Sequence, residues 1–319
     1  MRIFMRRRSS FRAVRGGTVI EIQRGILQSG IPITVDGIFG QQSERAVKIW
    51  QGKNSLPASG MVDEITWFGI TNNPLPSYFR RSLAITAAFE GHGYTHAKGN
   101  WDNAYLTWGI IGFTLKHDNF GRVIEMIEDR HPGLLKQEMG EDKAKQLLSV
   151  IGASLAKRRS FGNSISVRPK KYDIRPDWGD AFIALGNRAE VRSIQEEVVR
   201  KVYWAGALKD LRKFGQRTEA DAALFFDTRV QNGGINPRKA TLIQKGLADN
   251  PNATGRKRLS LIAKAIAEGS NRTYRSDVLS RKKALGVGKG TVHGSKYFIE
   301  DWMIDLQTVT DDDLENVSN

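Results

Sequence analysis

The sequence contains no cysteine among its 319 residues. The fold therefore needs neither disulfide bonds nor thiolate metal sites. No apolar run approaches the roughly 18 residues that a membrane-spanning helix requires. The N-terminus begins with basic residues but has no apolar segment behind them, so it is not expected to be a secretory signal.

Acidic residues are outnumbered by basic ones, with 34 Asp and Glu against 49 Lys and Arg, for a net charge of +15. This excess favours a polyanionic partner: nucleic acid, an anionic cell wall or an acidic membrane surface. The basic residues are dispersed rather than gathered in one stripe with aromatic residues between them, so nucleic acid is not the expected partner. The apolar share of 40% and charged share of 26% are typical of a globular protein.

The first 77 residues are predicted to hold a basic arm, a small helical domain and a linker. Residues 1–17 are interpreted as a disordered basic arm, with a tail that docks on a membrane or a phosphate as the alternative. Apolar spacing predicts helices over 19–30 and 43–51, with Ser43 as a candidate N-cap of the second. The segment 71–77 has two prolines and two asparagines, which favours a short, fairly stiff linker.

A set of motifs occurs in order between Val19 and Ile70. Its members are Gln23, the run Asp36-Gly37-Ile38-Phe39-Gly40, Ala46-Val47, Trp50-Gln51, Leu56-Pro57, Gly60 and Thr66-Trp67. They resemble the small three-helix peptidoglycan-binding domain found on many wall hydrolases. Most of these residues must pack the core of so short a domain, so binding contacts are expected on the loops around them.

From residue 78 onward the apolar spacing is mostly helical. Segments 158–175 and 286–294 are interpreted as loops, the second as a flexible closing loop, and the acidic tail is expected to be frayed. Helices are predicted over 119–129, 143–155, 193–214, 221–231, 256–268 and 274–285.

The stretch from Ala84 to Phe120 carries the candidate chemistry. An apolar helix ends at Glu90, glycines follow, and Asp102 precedes a β-prone run. Apolar neighbours favour the neutral form of Glu90, whereas the polar residues around Asp102 favour its ionised form. One protonated and one charged carboxylate suit acid/base cleavage of a glycosidic bond.

A second resemblance begins at the run from Asp102 to Thr114. It continues through Trp178-Gly179-Asp180-Ala181, Gln195, Tyr203-Trp204, the run Phe226 to Gly233 and the run Arg275 to Arg281. These motifs are similar to those of family-46 chitosanases, which implies a two-lobed, lysozyme-like fold and an inverting reaction. The resemblance implies Glu90 as general acid, Asp102 as the base that deprotonates water, and Thr107 as a residue that helps to hold that water. It also implies a buried ion network of Asp227, Arg275 and Arg281.

Each of these residues also has a purely structural interpretation. Glu90 could be an exposed carboxylate at a helix end, Asp102 an Asx-turn residue, and Thr107 a β-branched strand residue. The charged residues of the ion network could lie on helix surfaces. Three aromatic residues could stack on sugar rings or simply pack in the core: Tyr94, Trp101 and Tyr105.

Zinc is considered because wall amidases and peptidases use it. His92 and His96 would share one face of a helix, but the glycines at 91 and 93 disfavour a helix there. The other histidines have no familiar ligand spacing, and no phosphate-binding glycine loop is present. We therefore expect neither a metal nor a cofactor.

Together these features predict a mainly α protein with a three-helix wall-binding domain and a larger lysozyme-like domain with minor β structure. The expected function is that of a peptidoglycan hydrolase of the endolysin type, which cleaves β-1,4 bonds of the wall. It would be made in the host cytoplasm without a signal peptide and act on the wall, and its basic surface would also suit an anionic outer-membrane lipid.

A monomer is favoured. The alternatives are a chitosanase with a wall-binding module and a non-catalytic wall-binding protein. The predicted bounds are a basic arm (1–17), a peptidoglycan-binding domain (18–72), a linker (73–77), a glycoside hydrolase domain (78–305) and an acidic tail (306–319).

Overall fold

The structure is a computed structural model that describes residues 3–7, 13–14, 16–91, 93–100, 102–167 and 173–315. These residues are mainly helical, which confirms the predicted fold class. Every helix within these ranges is too short or too polar to cross a lipid bilayer. The helices are α1 (Gly17–Gln28), α2 (Gln41–Lys53), α3 (Glu64–Thr71), α4 (Tyr78–Glu90), α5 (Asp118–Arg130), α6 (Leu134–Met139), α7 (Glu141–Ile151), α8 (Leu155–Ser164), α9 (Pro176–Asn187), α10 (Ala189–Val199), α11 (Ala205–Phe214), α12 (Glu219–Asn232), α13 (Pro237–Ala248), α14 (Gly255–Glu268), α15 (Arg275–Val287) and α16 (Asp311–Glu315).

The strands of the described residues form three small antiparallel groups. β1 (Ile3–Met5) pairs with β2 (Val62–Asp63), β4 (Thr107–Trp108) lies between β3 (Ala97–Lys98) and β5 (Phe113–Thr114), and β6 (Lys289–Val292) pairs with β7 (Ser295–Phe298). Short 3₁₀ turns lie at Arg272–Tyr274 and Ile299–Trp302, and a π-helical turn at Arg200–Trp204 joins α10 to α11.

The chain divides into two compact units. The first combines Met1–Phe89 with Tyr203–Asn319, and the second is Glu90–Val202. Helix α4 belongs to the first unit up to its last residue, Glu90, which begins the second. The domains expected from the sequence are continuous stretches of the chain, and their bounds stay predictions.

Two buried glutamines organise the turns between the first three helices. The amide of Gln23 donates to Asp36 Oδ1 (2.8 Å) and accepts from Gly37 N (2.8 Å). The amide of Gln51 in the same way donates to Met61 O (2.9 Å) and accepts from Gly60 N (2.9 Å). Because an irregular turn leaves backbone groups unpaired, a buried amide that both donates and accepts is a suitable partner for it.

Ser43 is not the N-cap that the sequence suggested. Helix α2 begins after Gly40, and the Ser43 hydroxyl lies inside the helix, where it donates to Ile38 O at 3.0 Å and accepts from Gln23. Ser43 is buried, so its hydroxyl stabilises the turn before α2 rather than the first helical turn itself.

Both terminal segments are more ordered than expected. Ile3–Met5 pairs with Val62–Asp63, and Met5 is fully buried, so the prediction of a disordered arm is wrong for these residues. At the other end Asp311–Glu315 is helical, and Leu314 is buried with its carbonyl accepting from Trp204 Nε1 at 3.0 Å. Apolar side chains within these charged segments therefore hold them to the first unit.

The core of the first unit lies around α4 and α12. Every residue of α12 from Glu219 to Thr228 is buried, and α11, α14 and α15 pack against this helix. Edge-to-face ring contacts join Phe79 to Trp204 and to Phe226 at 5.6 and 6.1 Å between centroids. The predicted helices over 221–231, 256–268 and 274–285 correspond to α12, α14 and α15.

The core of the second unit forms between α5, α9 and α10 and the three-stranded sheet. Trp108 of β4 contacts the rings of Phe120 and Phe182 at 6.3 and 5.3 Å between centroids. The apolar face predicted for α5 is buried. The prediction of a loop over 158–175 is wrong at its start, because Leu155–Ser164 is a helix that buries only Gly162 and so lacks an apolar stripe.

We expect Glu197 to make the stability of the protein depend on pH. Hydrogen bonds from Arg130 of α5 and from Lys201 lower the pKa of Glu197 from 4.5 to about 2. A carboxylate whose pKa is lower in the folded state stabilises it fully above the unfolded value and loses that contribution as the pH falls through the folded one. The Glu197→Gln variant should therefore lose less stability than the wild type between about pH 4.5 and 2, as measured by urea unfolding.

The matched control is Glu125→Gln, which removes an exposed carboxylate from α5. It should leave the pH dependence of the unfolding free energy unchanged. Identical pH profiles for Glu197→Gln and the wild type would contradict the prediction.

Candidate active site

Glu90 lies at the end of a helix that is buried along most of its length. All residues from Arg81 to Phe89 are buried, and Glu90 is half-buried. Gly91 follows with φ of 71°, a left-handed conformation that glycine adopts without strain and that commonly ends helices. The sequence thus places one carboxylate where a rigid helix opens into an irregular segment.

The β6–β7 hairpin binds the carbonyl end of α4. Tyr297 donates its hydroxyl to Ala88 O at 3.0 Å, and His293 Nδ1 lies 3.0 Å from Phe89 O. The other ring nitrogen of His293 lies 2.6 Å from Asp277 Oδ1. Since the last carbonyls of a helix have no partner within it, these contacts fix the backbone just before Glu90.

The prediction of a flexible closing loop over 286–294 is therefore wrong. Residues 289–292 form β6, and the turn at His293 and Gly294 leads into β7. Three of the four β6–β7 residue pairs contain a Gly, Thr or Ser residue, so the segment lacks the apolar alternation by which strands are found in a sequence.

A buried ion cluster forms in the first unit, with one member exchanged relative to the prediction. Asp227 accepts from Arg281 Nη2 at 2.5 Å and from Lys282 Nζ, and all three side chains are almost fully buried. Arg275 instead donates to Ser270 O at 3.4 Å, so Lys282 takes the place predicted for it. Burial would raise the pKa of Asp227, but the charges of Arg281 and Lys282 outweigh it and hold that pKa below its usual value.

The ion cluster also contacts α4. The guanidinium carbon of Arg281 lies 5.5 Å from the centroid of the Phe89 ring, within the range of a cation–π contact. Lys282 donates to Gln231 Oε1 at 2.6 Å, and Gln231 donates to Asp277 at 2.6 Å. A continuous set of polar contacts thus runs from Asp227 to the histidine that binds the end of α4.

Asp102 is exposed in the connection between β3 and β4. Its Oδ1 accepts from Ala104 N at 3.1 Å, which is the Asx-turn contact considered from the sequence. Asn103 and Tyr105 both have positive φ, 67° and 70°. A bulky side chain in this region is uncommon and strained, and such strain is found preferentially at functional sites.

Asn100 holds the connection that carries Asp102. Its side-chain oxygen accepts from Tyr105 N at 3.0 Å, and its side-chain nitrogen donates to Asn163 Oδ1 at 2.8 Å. Its backbone nitrogen donates to Ser166 Oγ at 2.8 Å. Three contacts of one buried residue therefore fix this loop against α8 and the residues that follow it.

Gly162 of α8 makes that close approach possible. A Cβ at this position would lie 2.1 Å from the carbonyl oxygen of Tyr105, far inside contact distance. A larger residue would force α8 and the Asp102 loop apart. Although glycine has a low helix propensity, Gly162 is thus required by the close packing of α8 against Tyr105.

Gln195 supports the other side of the sheet. This fully buried side chain accepts from Ile110 N at 2.9 Å and donates to Tyr94 O at 3.2 Å. Gly109, with φ of 90°, has no room for a Cβ because Gln195 Oε1 would lie 2.6 Å away. Thr107, in β4, is only 8% exposed and pairs with Lys98 and Thr114.

The three aromatic residues predicted to contact sugar have different surroundings. Tyr94 is 7% exposed, with its hydroxyl donated to Glu196 and Arg192 over its ring, so it is a core residue here. Tyr105 is 6% exposed, and its ring is not presented as an open stacking face. Trp101 lies outside the described residues.

No group of three or more His, Cys, Asp or Glu residues among the described ranges is placed to hold a metal ion. His96 belongs to those ranges, whereas His92 lies outside them. Four residues that support the candidate acids were not given these roles from the sequence: Asn100, Gly162, Lys282 and His293. Each of the four takes part in a contact that spans 55 to 204 positions of the chain, which no local spacing contains.

One family model matches the chain. It is described as a putative peptidoglycan binding domain and covers residues 15–67. The match confirms the resemblance of the first segment, whose buried glutamines and glycine turns are described above. No curated protein sequence matches the chain.

Several solved chitosanase structures are similar to the chain in backbone fold. The native chitosanase of Bacillus subtilis has a TM-score of 0.49 and 17% identity, over 70% of this chain and 98% of that one. The GH46 chitosanase of Gynuella sunshinyii, in complex with chitotetraose, has a TM-score of 0.47 and 15% identity over the same shares.

We expect Asp227→Asn to destabilise the protein strongly. The substitution leaves the charges of Arg281 and Lys282 buried without their counter-ion, and breaking such a cluster typically costs about 3–5 kcal/mol. Urea unfolding followed by circular dichroism measures the loss. As a control, Asp249→Asn removes one partner of the exposed Lys245–Asp249 pair and should leave the unfolding midpoint unchanged. Equal midpoints for both variants would contradict the prediction.

We expect Gly162→Ala to displace the Asp102 loop. The added methyl group meets backbone, which cannot move aside cheaply, so the unfolding free energy should fall by about 1–3 kcal/mol. The amide resonances of residues 102–105 should shift in the NMR spectrum of the folded variant. Gly246→Ala is the control: it lies within a helix with open space around it, so it should be neutral or slightly stabilising. If both variants behave alike, the close approach of Tyr105 to α8 is not a constraint.

Proposed function

We propose that this protein is a peptidoglycan hydrolase that binds the bacterial cell wall and cleaves its β-1,4 glycosidic bonds. Glu90 acts as the general acid and Asp102 as the general base. The observation that supports this most directly is the pairing of a peptidoglycan-binding domain with two differently placed carboxylates. One of them is half-buried at the end of a buried helix, and the other is exposed in a strained loop.

The proposed reaction gives the two carboxylates different roles. Glu90 in its neutral form donates its proton to the glycosidic oxygen as the bond from that oxygen to the anomeric carbon breaks. Asp102 takes a proton from water while the water oxygen bonds to the same carbon, so one water is added in total. The hydroxyl of Thr107 helps to hold that water.

The supporting contacts keep both acids in place without adding chemistry of their own. The hairpin residues Tyr297 and His293 fix the carbonyls before Glu90, and Asn100 fixes the loop of Asp102. Such fixed positions matter because a displacement of about 1 Å of a catalytic group can reduce the rate by about 100-fold.

The wall-binding domain supplies substrate rather than chemistry. A domain that stays bound to the wall keeps the hydrolase near its polymer, which raises the effective substrate concentration without any new contact at the scissile bond. The net charge of +15 supports an anionic polymer over chitosan, whose amino groups are cationic.

We expect Glu90→Gln and Asp102→Asn each to reduce wall hydrolysis by at least about 100-fold, because loss of a general acid or base typically costs 10²–10⁴. Reducing ends released from purified peptidoglycan measure the rate, and mass spectrometry of the soluble fragments identifies the bond. Both variants should still sediment with walls. Asp129→Asn, an exposed carboxylate of the same unit, is the control and should retain full activity.

Three results would count against this function. Intact peptidoglycan after treatment with the wild type, which still sediments with walls, would favour a non-catalytic wall-binding protein. Faster release from deacetylated chitosan than from peptidoglycan would favour a chitosanase. Full activity of Glu90→Gln would remove the assignment of the acid.

A further inference from the structure

A shallow pocket of about 400 Å³ lies beside the loop that carries Asp102. Its lining comes from α8 and from Tyr105, which is three residues after Asp102 in the same fixed loop. All of its lining residues belong to the second unit. They are Tyr105, Leu155, Ala156, Arg159, Ser160 and Asn163.

Several of the polar groups that line this pocket can donate hydrogen bonds. Asn163 accepts from Asn100 through its side-chain oxygen, and its side-chain nitrogen is a hydrogen-bond donor. Arg159 is exposed and offers a guanidinium, which donates in a planar fork and accepts nothing. Ser160, also exposed, adds a hydroxyl that can donate.

The charged residues of α8 beside the pocket are all basic. Helix α8 contains Lys157, Arg158 and Arg159 and no acidic residue. Arg158 pairs with Asp118 at 3.2 Å, whereas Lys157 and Arg159 are exposed to solvent. A carboxylate is the ligand group that matches a guanidinium beside two further donors, and an ammonium would be repelled.

The apolar part of the lining limits the ligand further. Leu155 is 55% exposed, and Ala156 lies next to it on the helix. A ligand group with a carboxylate and small aliphatic carbons would contact both parts of the pocket. Short peptides attached to an amino-sugar chain have this composition, and unsubstituted chitosan does not.

We propose that this pocket binds a carboxylate of the peptide stem on the glycan, with Arg159 as its main contact. This inference rests on the proposed function, because it assigns to that reaction a substrate that bears acidic peptides. The pocket is a specificity site. It selects stem-bearing peptidoglycan next to Asp102, and Arg159 takes no part in the proton transfers.

The test uses soluble disaccharide–tetrapeptide fragments of peptidoglycan and the same fragments with their carboxylates converted to methylamides. Binding to the full-length Glu90→Gln protein is measured by calorimetry, with and without Arg159→Gln. We expect Arg159→Gln to weaken binding of the acidic fragment by about tenfold, the size of one charge-assisted hydrogen bond. It should leave binding of the methylamide unchanged.

The control is Lys157→Gln on the same helix, since Lys157 does not line the pocket. It should change binding of neither fragment by more than about twofold, because an exposed charge outside the pocket is largely screened by salt. In the active protein, Arg159→Gln should raise KM for peptidoglycan and leave kcat near the wild-type value. Arg159→Lys, which keeps the charge but loses the fork, should recover part of the affinity.

The binding and turnover results separate the two proposals. If the wild type hydrolyses peptidoglycan and Arg159→Gln binds both fragments as its parent does, the pocket assignment is overturned and the hydrolase stands. If the wild type leaves peptidoglycan intact but the acidic fragment binds through Arg159, the hydrolase proposal fails and the pocket stands. An acidic fragment that does not bind, or that binds no better than its methylamide, overturns the pocket assignment in either case.

Discussion

Buried side-chain amides hold together the places where this helical chain leaves its helices. Gln23 and Gln51 each bind a glycine turn in the small domain, Asn100 binds the loop before β4, and Gln195 binds the turn after it. The cause is general: a backbone group that leaves a helix and stays buried needs a partner, and the penalty for lacking one is about 1–3 kcal/mol. A side-chain amide can bind a backbone donor through its oxygen and a backbone acceptor through its nitrogen at the same time. An ionised carboxylate can only accept, and a hydroxyl has a single proton to donate.

Both candidate acids lie next to backbone that is held by side-chain contacts. Glu90 is the last residue of a buried helix whose carbonyls are bound by the β6–β7 hairpin, and Asp102 lies in a loop bound by Asn100. Of the residues that make these contacts, Tyr297 lies in β7, whereas Asn100 and His293 lie in a bend and a turn, so irregular segments also help to hold the two acids in place. The positive φ of Tyr105 shows how firmly that loop is held, since a strained conformation persists only where its surroundings determine it.

Much of the fold could be predicted from the sequence because most of its helices have an apolar stripe. The helix predicted over 193–214 is present as α10, a π-helical turn and α11, because its apolar residues recur every three or four positions. Helix α8 was missed for the opposite reason: it buries only Gly162, so its place is set by that one close approach and by polar contacts. The strand Ile3–Met5 was missed because its partner lies some 60 positions away along the chain.

The two candidate acids of the site were predicted from the sequence, but many of the residues that hold them in place were not. A carboxylate at a helix end and another before a β-prone run can be found in a linear sequence. The exchange of Arg275 for Lys282 could not be found, because these two basic residues lie about two turns apart on nearly the same face of α15, and the sequence does not show which turn lies beside Asp227. Tyr94 was a candidate for stacking on sugar, yet it is buried, and its hydroxyl donates to Glu196, 102 positions later in the chain.

The pairing of β1 with β2 also bears on how this chain could be recombined with others. The matched family segment begins at residue 15, so a chimera cut there would discard the strand that covers the edge of Val62–Asp63. Met5, which is fully buried, would leave an apolar hollow behind it, and the exposed strand edge would invite pairing with other molecules. A chimera that keeps β1 together with the peptidoglycan-binding segment should therefore be more stable and less prone to aggregate.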